Sequence, residues 1–165
     1  MIARNRVLAA ALLLLAALTG IAWAVASPLG SSPDDDYHMA SIWCPPSVEN
    51  SGCNVQYDTD GSPLLVEVPR TLVQATCYAF NSDISAACQA GVGEDELAWT
   101  ARFDDGGYPG GFYHVMHLFV GADPVKSILV MRVVNVLLAV LLLGAVLSIA
   151  KHPQRQIVAL AVLMP

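Results

Sequence analysis

Long apolar stretches frame a single polar interior along this chain. Residues 7–26 carry no charge, and about 20 such positions, at roughly 1.5 Å of rise each, cross the hydrocarbon core of a bilayer. A second apolar run covers residues 128–150 and is broken only by Arg132 near its start. A third opens at Ile157 and is still open at Pro165, so the chain reads as the N-terminal part of a longer, multi-spanning protein. The pattern predicts a mainly α membrane fold. Its parts are a cytoplasmic N-terminus at 1–6, a first transmembrane helix at 7–27, and a long disulfide-capable extracytoplasmic loop at 28–111. An interfacial amphipathic helix at 112–122 and a second transmembrane helix at 125–150 come next, then a cytoplasmic loop at 151–156 and the start of a third transmembrane helix at 157–165.

Within the polar interior, Ser27-Pro28-Leu29-Gly30-Ser31-Ser32-Pro33 is turn-forming and reads as a hinge out of the membrane. Residues 34–43 contain neither Gly nor Pro, which predicts a short helix capped by Ser32 or Asp34 and ended by Cys44-Pro45-Pro46. Residues 49–69 are rich in Asn, Asp, Gly, Ser and Pro, and Leu64-Leu65-Val66-Glu67-Val68 is the one strand-like run, consistent with a single hairpin. Residues 71–89 tolerate a helix interrupted near Asn81-Ser82-Asp83. At 112–122 the apolar Phe112, Val115, Met116, Phe119 and Val120 alternate with His114 and His117, the pattern of a helix lying on a membrane surface. Asp123-Pro124 then reads as a cap followed by a first-turn proline.

Composition agrees, with 55% hydrophobic residues and a mean hydropathy of +0.54. Charge adds sidedness. All 14 acidic residues lie between Asp34 and Asp123, whereas Arg4 and Arg6 precede the first run and Lys151 and Arg155 come after the second. Lys and Arg mark cytoplasmic flanks, which puts both ends inside and the acidic interior outside. The net charge of −6 therefore belongs to one loop, and nothing in it suits nucleic acid. A basic start, an apolar core and Ala24-Val25-Ala26 before Ser27 also describe a cleavable secretory signal. The length of the run favours a retained anchor, and either reading exports the polar interior.

Cys44, Cys53, Cys77 and Cys88 all fall in the exported segment. An even count in an oxidising compartment implies disulfides. Three pairings are open, of which the sequence-neighbour pairing, Cys44 with Cys53 and Cys77 with Cys88, closes two short loops and is preferred.

Two polar clusters have the composition of a site. Asp34-Asp35-Asp36-Tyr37-His38 stands a few residues beyond the first span, and on a helix His38 falls one turn after Asp34 and Asp35, near enough to share a proton or a divalent metal. The plain alternative is a solvated acidic helix start. The second cluster, residues 103–114, sets Asp104 and Asp105 among glycines and the aromatics Tyr108, Phe112 and Tyr113, a flexible turn or a surface for sugar rings and lipid headgroups. His114 and His117 have a metal-compatible spacing but lack a third ligand. Asp58-Thr59-Asp60-Gly61 mimics the opening of a calcium loop without its later ligands and reads as a turn.

The order of a basic N-terminus, a span, Pro33-Asp34-Asp35 with His38, a long exported loop, Tyr108-Pro109 with Tyr113, and Arg132-Val133-Val134-Asn135 at the next span is the basis of a resemblance. The chain resembles the start of an uncharacterised family of predicted bacterial polytopic membrane proteins carrying Pro-Asp-Glu-x-x-His after the first span. That family in turn is similar to the GT-C membrane glycosyltransferases, which draw sugar from a polyprenyl-phosphate donor. The resemblance implies catalytic roles for Asp34, Asp35 and His38, and contacts to donor phosphate or substrate from Arg132, Tyr108 and Tyr113. Asp35 stands where the family has Glu, and Gly110-Gly111 succeeds Tyr108-Pro109 where proline and apolar residues are usual. It further implies a cell-envelope acceptor, the bilayer and the lipid-linked donor as partners, and a multi-pass place in the bacterial cytoplasmic membrane. Two other classes fit the residues: a non-enzymatic membrane protein whose disulfide-bonded loop binds a partner or envelope polymer, and a transporter using Arg132 as a substrate contact.

Overall fold

The computed structural model describes residues 2–32, 34–45, 53–73, 77–91 and 96–149. Pro33, the 151–156 loop and the third apolar run at 157–165 lie outside the described residues. The chain divides into two units, Met1–Ala26 with Arg132–Pro165, and Ser27–Met131.

The first unit holds helix α1, Ile2–Ala26, and the greater part of helix α5, Pro124–Ile149. Both are long and apolar enough to cross a membrane. Leu12, Leu14, Leu15 and Leu18 on α1, and Leu141 and Leu142 on α5, are more than half exposed. A helix that is apolar around its whole circumference is stable only among other apolar groups, and lipid tails supply them. The helices run antiparallel where they touch: Ala24 lies beside Arg132, Gly20 beside Val136, and Leu13 beside Gly144.

The second unit is a mixed α/β body, so the mainly α expectation omitted a sheet. Helix α2, Asp35–Trp43, buries its second half, Ala40, Ser41, Ile42 and Trp43. Strands β1, Val55–Tyr57, and β2, Pro63–Pro69, form the expected hairpin, and Asp58-Thr59-Asp60-Gly61 is its turn. There the Asp58 carbonyl accepts from Gly61, while the Asp60 carboxylate accepts from Ser62. Strand β3, Leu97–Thr100, falls where the sequence pattern marks only loop. It pairs antiparallel with β2, placing Val66 opposite Thr100 and Val68 opposite Ala98. Val66 and Val68 point inward with Leu72 of the short helix α3, Arg70–Val73, against α2.

Three further boundaries differ from the sequence pattern. The helix considered over 71–89 is only α3 at its start, succeeded by turns and a 3-10 helix at Ala86–Gly91. Asp34 caps α2 by position, but among the described residues its side chain makes no capping hydrogen bond. Helix α4, Gly111–His117, is shorter than 112–122 and ends in tight turns at Phe119 and Val120. It also does not rest wholly on a surface. Tyr113 and Met116 are buried in the unit, while Phe112, Val115 and then Leu118 face outward.

Disulfides Cys44–Cys53 and Cys77–Cys88 close the two sequence-neighbour loops. The first fastens the end of α2 to the start of β1 with Cys44 in the core, a covalent supplement where the apolar interior is small. The first turns of α5 complete the unit by burying Pro124, Ser127, Ile128 and Met131.

Candidate functional site

The site grows from the N-terminal turn of α2. Asp34 has φ 62 and ψ 12, the left-handed conformation, which costs an L-residue roughly 1 kcal/mol and which Asp tolerates better than most. Its carbonyl receives the His38 amide at 3.0 Å, so this sharp entry sets the helix that carries Tyr37 and His38. Asp35 and Asp36 occupy the first turn, where carboxylates complement the helix dipole.

Arg102, just after β3, compensates this negative charge. Its Nε donates to Asp36 Oδ2 at 2.6 Å, and its Nη2 donates to Asp34 Oδ1 at 2.8 Å and Asp36 Oδ1 at 3.2 Å. The hydrogen bonds from Asp36 and then Asp34 hold the guanidinium charged, raising its pKa above the ordinary arginine value. Arg102 and Asp34 are more than half exposed, so the pairing orients side chains more than it stabilises the fold.

One turn on, the two polar clusters meet. His38 Nδ1 lies 3.0 Å from the Tyr113 hydroxyl, and the Tyr37 hydroxyl donates to Asp104 Oδ1 at 3.3 Å. Asp104 is fully buried. Its Oδ1 also accepts the amides of Gly107 at 2.9 Å and Tyr108 at 3.1 Å, and its own amide donates to Ser41 Oγ at 2.8 Å. Oδ2 has no hydrogen-bond partner among the described residues. Gly106, at φ 112, provides a backbone that only glycine adopts without strain, and the loop thereby curls back onto the carboxylate.

The result is an aromatic cluster. Tyr108 lies 6.1 Å from Tyr37 and 6.1 Å from His38 between ring centroids, and His38 is 6.1 Å from Tyr113. Tyr113 is buried and Tyr108 is 57% exposed, so Tyr108 is the more accessible of these two rings. Desolvation, and after it the Asp104 carboxylate, pushes the Tyr37 hydroxyl up to about 12. Desolvation likewise raises Tyr113. Both phenols are therefore neutral hydrogen-bonding groups at physiological pH.

The structure brings Asp34, Asp35, His38, Tyr108 and Tyr113 into one unit and joins His38 directly to Tyr113. Arg132 belongs to the helical unit, where Nη1 reaches the Ala24 carbonyl at 3.5 Å. His114 and His117 are each held by a backbone carbonyl. Their Nδ1 atoms bond the carbonyls of Gly110 and Ile42 at 2.5 and 2.8 Å, and among the described residues no three His, Cys, Asp or Glu side chains converge. Four participants were missed in the sequence as site members: Tyr37, Ser41, Arg102 and Asp104. Tyr37 and Asp104 lay inside the two clusters already singled out, but no local signal linked the clusters to each other.

Residues 15–165 match the sequence model of the family described as Predicted membrane protein (DUF2142). No curated protein and no solved structure matches the chain.

Proposed function

We propose that this chain, which belongs to that family of predicted membrane proteins, is the N-terminal part of a GT-C-like glycosyltransferase moving sugar from a polyprenyl phosphate to a cell-envelope acceptor. The observation that carries the reading is the junction of the two polar clusters through His38 and Tyr113 at 3.0 Å, beside the strained acidic entry at Asp34. Backbone outliers concentrate where geometry serves chemistry. In this reading Asp34 or Asp35 takes the proton of an acceptor hydroxyl. The hydroxyl oxygen bonds to the anomeric carbon, and the bond from that carbon to phosphate breaks, releasing polyprenyl phosphate. Arg102 orients the carboxylates, and Tyr108 stacks on a sugar ring. Charge placement and the paired cysteines support an extracytoplasmic site in a multi-pass protein of the bacterial cytoplasmic membrane.

The test uses the full-length protein in membrane vesicles supplied with radiolabelled polyprenyl-phosphate sugars. Asp34→Asn and Asp35→Asn should reduce transfer, the variant that removes the base by about a hundredfold or more. Wild-type transfer in both variants would sink the assignment. A reporter fusion after Gly110 that is active only in the cytoplasm would overturn the sidedness.

One observation favours a non-enzymatic alternative. Leu97 and Trp99 stand 56% and 41% exposed on β3, a face suited to a partner or an envelope polymer. That reading expects Trp99→Ala to abolish binding to isolated envelope polymer while the acidic substitutions are tolerated.

A further inference from the structure

The disulfide loop between Cys77 and Cys88 is not used by the site, yet it is held in a specific place. The Tyr78 hydroxyl and the Gln89 side-chain amide both donate to the Leu29 carbonyl, the latter at 2.9 Å. Leu29 is three residues beyond Ala26, where the span-length helix α1 ends. Three residues of chain extend at most about 11 Å, so the loop is tied from both of its ends to the point where the chain leaves the bilayer.

The loop presents two apolar side chains there, on either side of the exposed polar residues Asn81, Ser82 and Asp83. Phe80 is fully exposed and Ile84 is 44% exposed. The Phe80 backbone has φ 63, an outlier for a bulky aromatic, in a segment fastened by Cys77–Cys88 and by the Asn81 and Ile84 turn bonds. An exposed aromatic held outward in this way gains free energy on entering an apolar environment. Lys and Arg are absent from residues 77–88, so attraction to anionic headgroups is not the design.

We propose that the Cys77–Cys88 loop is a membrane-contacting element that inserts Phe80 and Ile84 into the outer leaflet of the bilayer beside the exit of the first span. Aromatic side chains favour this interfacial depth. The occupant of this apolar face is lipid, not a protein partner. The inference rests on the bilayer and on the extracytoplasmic sidedness proposed above, and is independent of any sugar-transfer chemistry.

The test places the photoreactive phenylalanine analogue p-benzoyl-phenylalanine at position 80, at position 84 and, as a control, at Tyr57, which is 64% exposed on the hairpin. The full-length protein is irradiated in native membranes and its peptides are analysed by mass for acyl-lipid adducts. Peptide mapping confirms that Cys77–Cys88 is intact in each variant. Adducts at 80 and 84 should exceed those at Tyr57 by about tenfold. Adducts at 80 no higher than at Tyr57, or cross-links to polypeptide instead of lipid, would overturn the proposal.

Discussion

The Tyr113 hydroxyl and His38 Nδ1, 75 positions apart in sequence, lie 3.0 Å from each other. The bond ties α4 to α2 and joins two segments that carry most of the chemistry-bearing side chains. Because the Tyr113 ring is buried, its two contributions separate by substitution. Tyr113→Phe keeps the packing and loses the hydrogen bond, which should cost about 1 kcal/mol. Tyr113→Ala also opens a cavity and should cost about 3–5 kcal/mol. A double-mutant cycle of Tyr113→Phe with His38→Ala, read by denaturant unfolding, should give a coupling energy of about 0.5 kcal/mol or more. Strict additivity would mean that the two side chains do not interact in solution.

Asp104 organises the neighbouring loop. Asp104→Ala would leave the amides of Gly107 and Tyr108 and the Tyr37 hydroxyl without their acceptor, at roughly 2–4 kcal/mol. Asp104→Asn keeps an acceptor oxygen in the same place and should cost distinctly less. Equal losses would show that the carboxylate's charge, not its acceptor geometry, holds the loop.

Much of this arrangement was hidden in the sequence for a physical reason. What is decided locally was legible: apolar length revealed α1 and α5, and Asp123-Pro124 revealed the start of α5, where the Lys126 amide indeed donates to Asp123 Oδ1 at 3.0 Å. The Asp58–Gly61 turn and the neighbour-paired cysteines are local in the same sense. What depends on remote partners was not. Asp104-Asp105-Gly106-Gly107 looks like a solvated turn, and only folding against α2 turns Asp104 into a buried acceptor. Four residues of β3 carry too little pattern to announce a strand until β2 supplies the other half of the ladder. The amphipathic reading of α4 grouped Met116 with Phe112 and Val115, because the helical period cannot say that a tyrosine with a polar partner will share the buried face.

The Tyr37 hydroxyl yields a pH prediction. Its pKa stands at about 12, raised by desolvation and then by Asp104, against about 10 for a free tyrosine. The folded protein thus holds this proton more tightly than the unfolded chain. Its stabilising contribution is whole below pH of about 10 and is lost as pH rises through about 12. Spectrophotometric titration at alkaline pH should show a last ionisation step that is missing in Tyr37→Phe and shifted to lower pH in Asp104→Asn. An unchanged last step in Tyr37→Phe would assign it to another tyrosine.

The two disulfides should differ in weight. Cys44 is 5% exposed in the core and its bridge anchors the helix bearing His38, so replacing Cys44 and Cys53 by alanine should cost about 3–5 kcal/mol, from lost chain constraint and lost packing. Replacing Cys77 and Cys88 removes a bridge nearer the surface and should cost less, about 2 kcal/mol. Hydrogen exchange should show α2 amides losing protection in the first variant but not the second. The reverse order would place the structural weight in the Cys77–Cys88 loop.

The helix pair offers a test with a change of sign. A methyl group added at Gly20 would sit 2.7 Å from Val136 Cγ1, inside contact distance of a β-branched side chain that has few other rotamers on a helix. Small residues let membrane helices approach closely. Alanine is intrinsically about 1 kcal/mol better than glycine in a helix, so a net loss on Gly20→Ala measures the crowding, expected at about 1–3 kcal/mol before that gain. With Val136→Ala in the background the obstructing methyls are gone, and Gly20→Ala should become neutral or stabilising. Thermal unfolding of the full-length protein in detergent micelles reads both steps. If Gly20→Ala stabilises the wild-type background by the full intrinsic gain of about 1 kcal/mol, α1 and α5 do not pack through this pair.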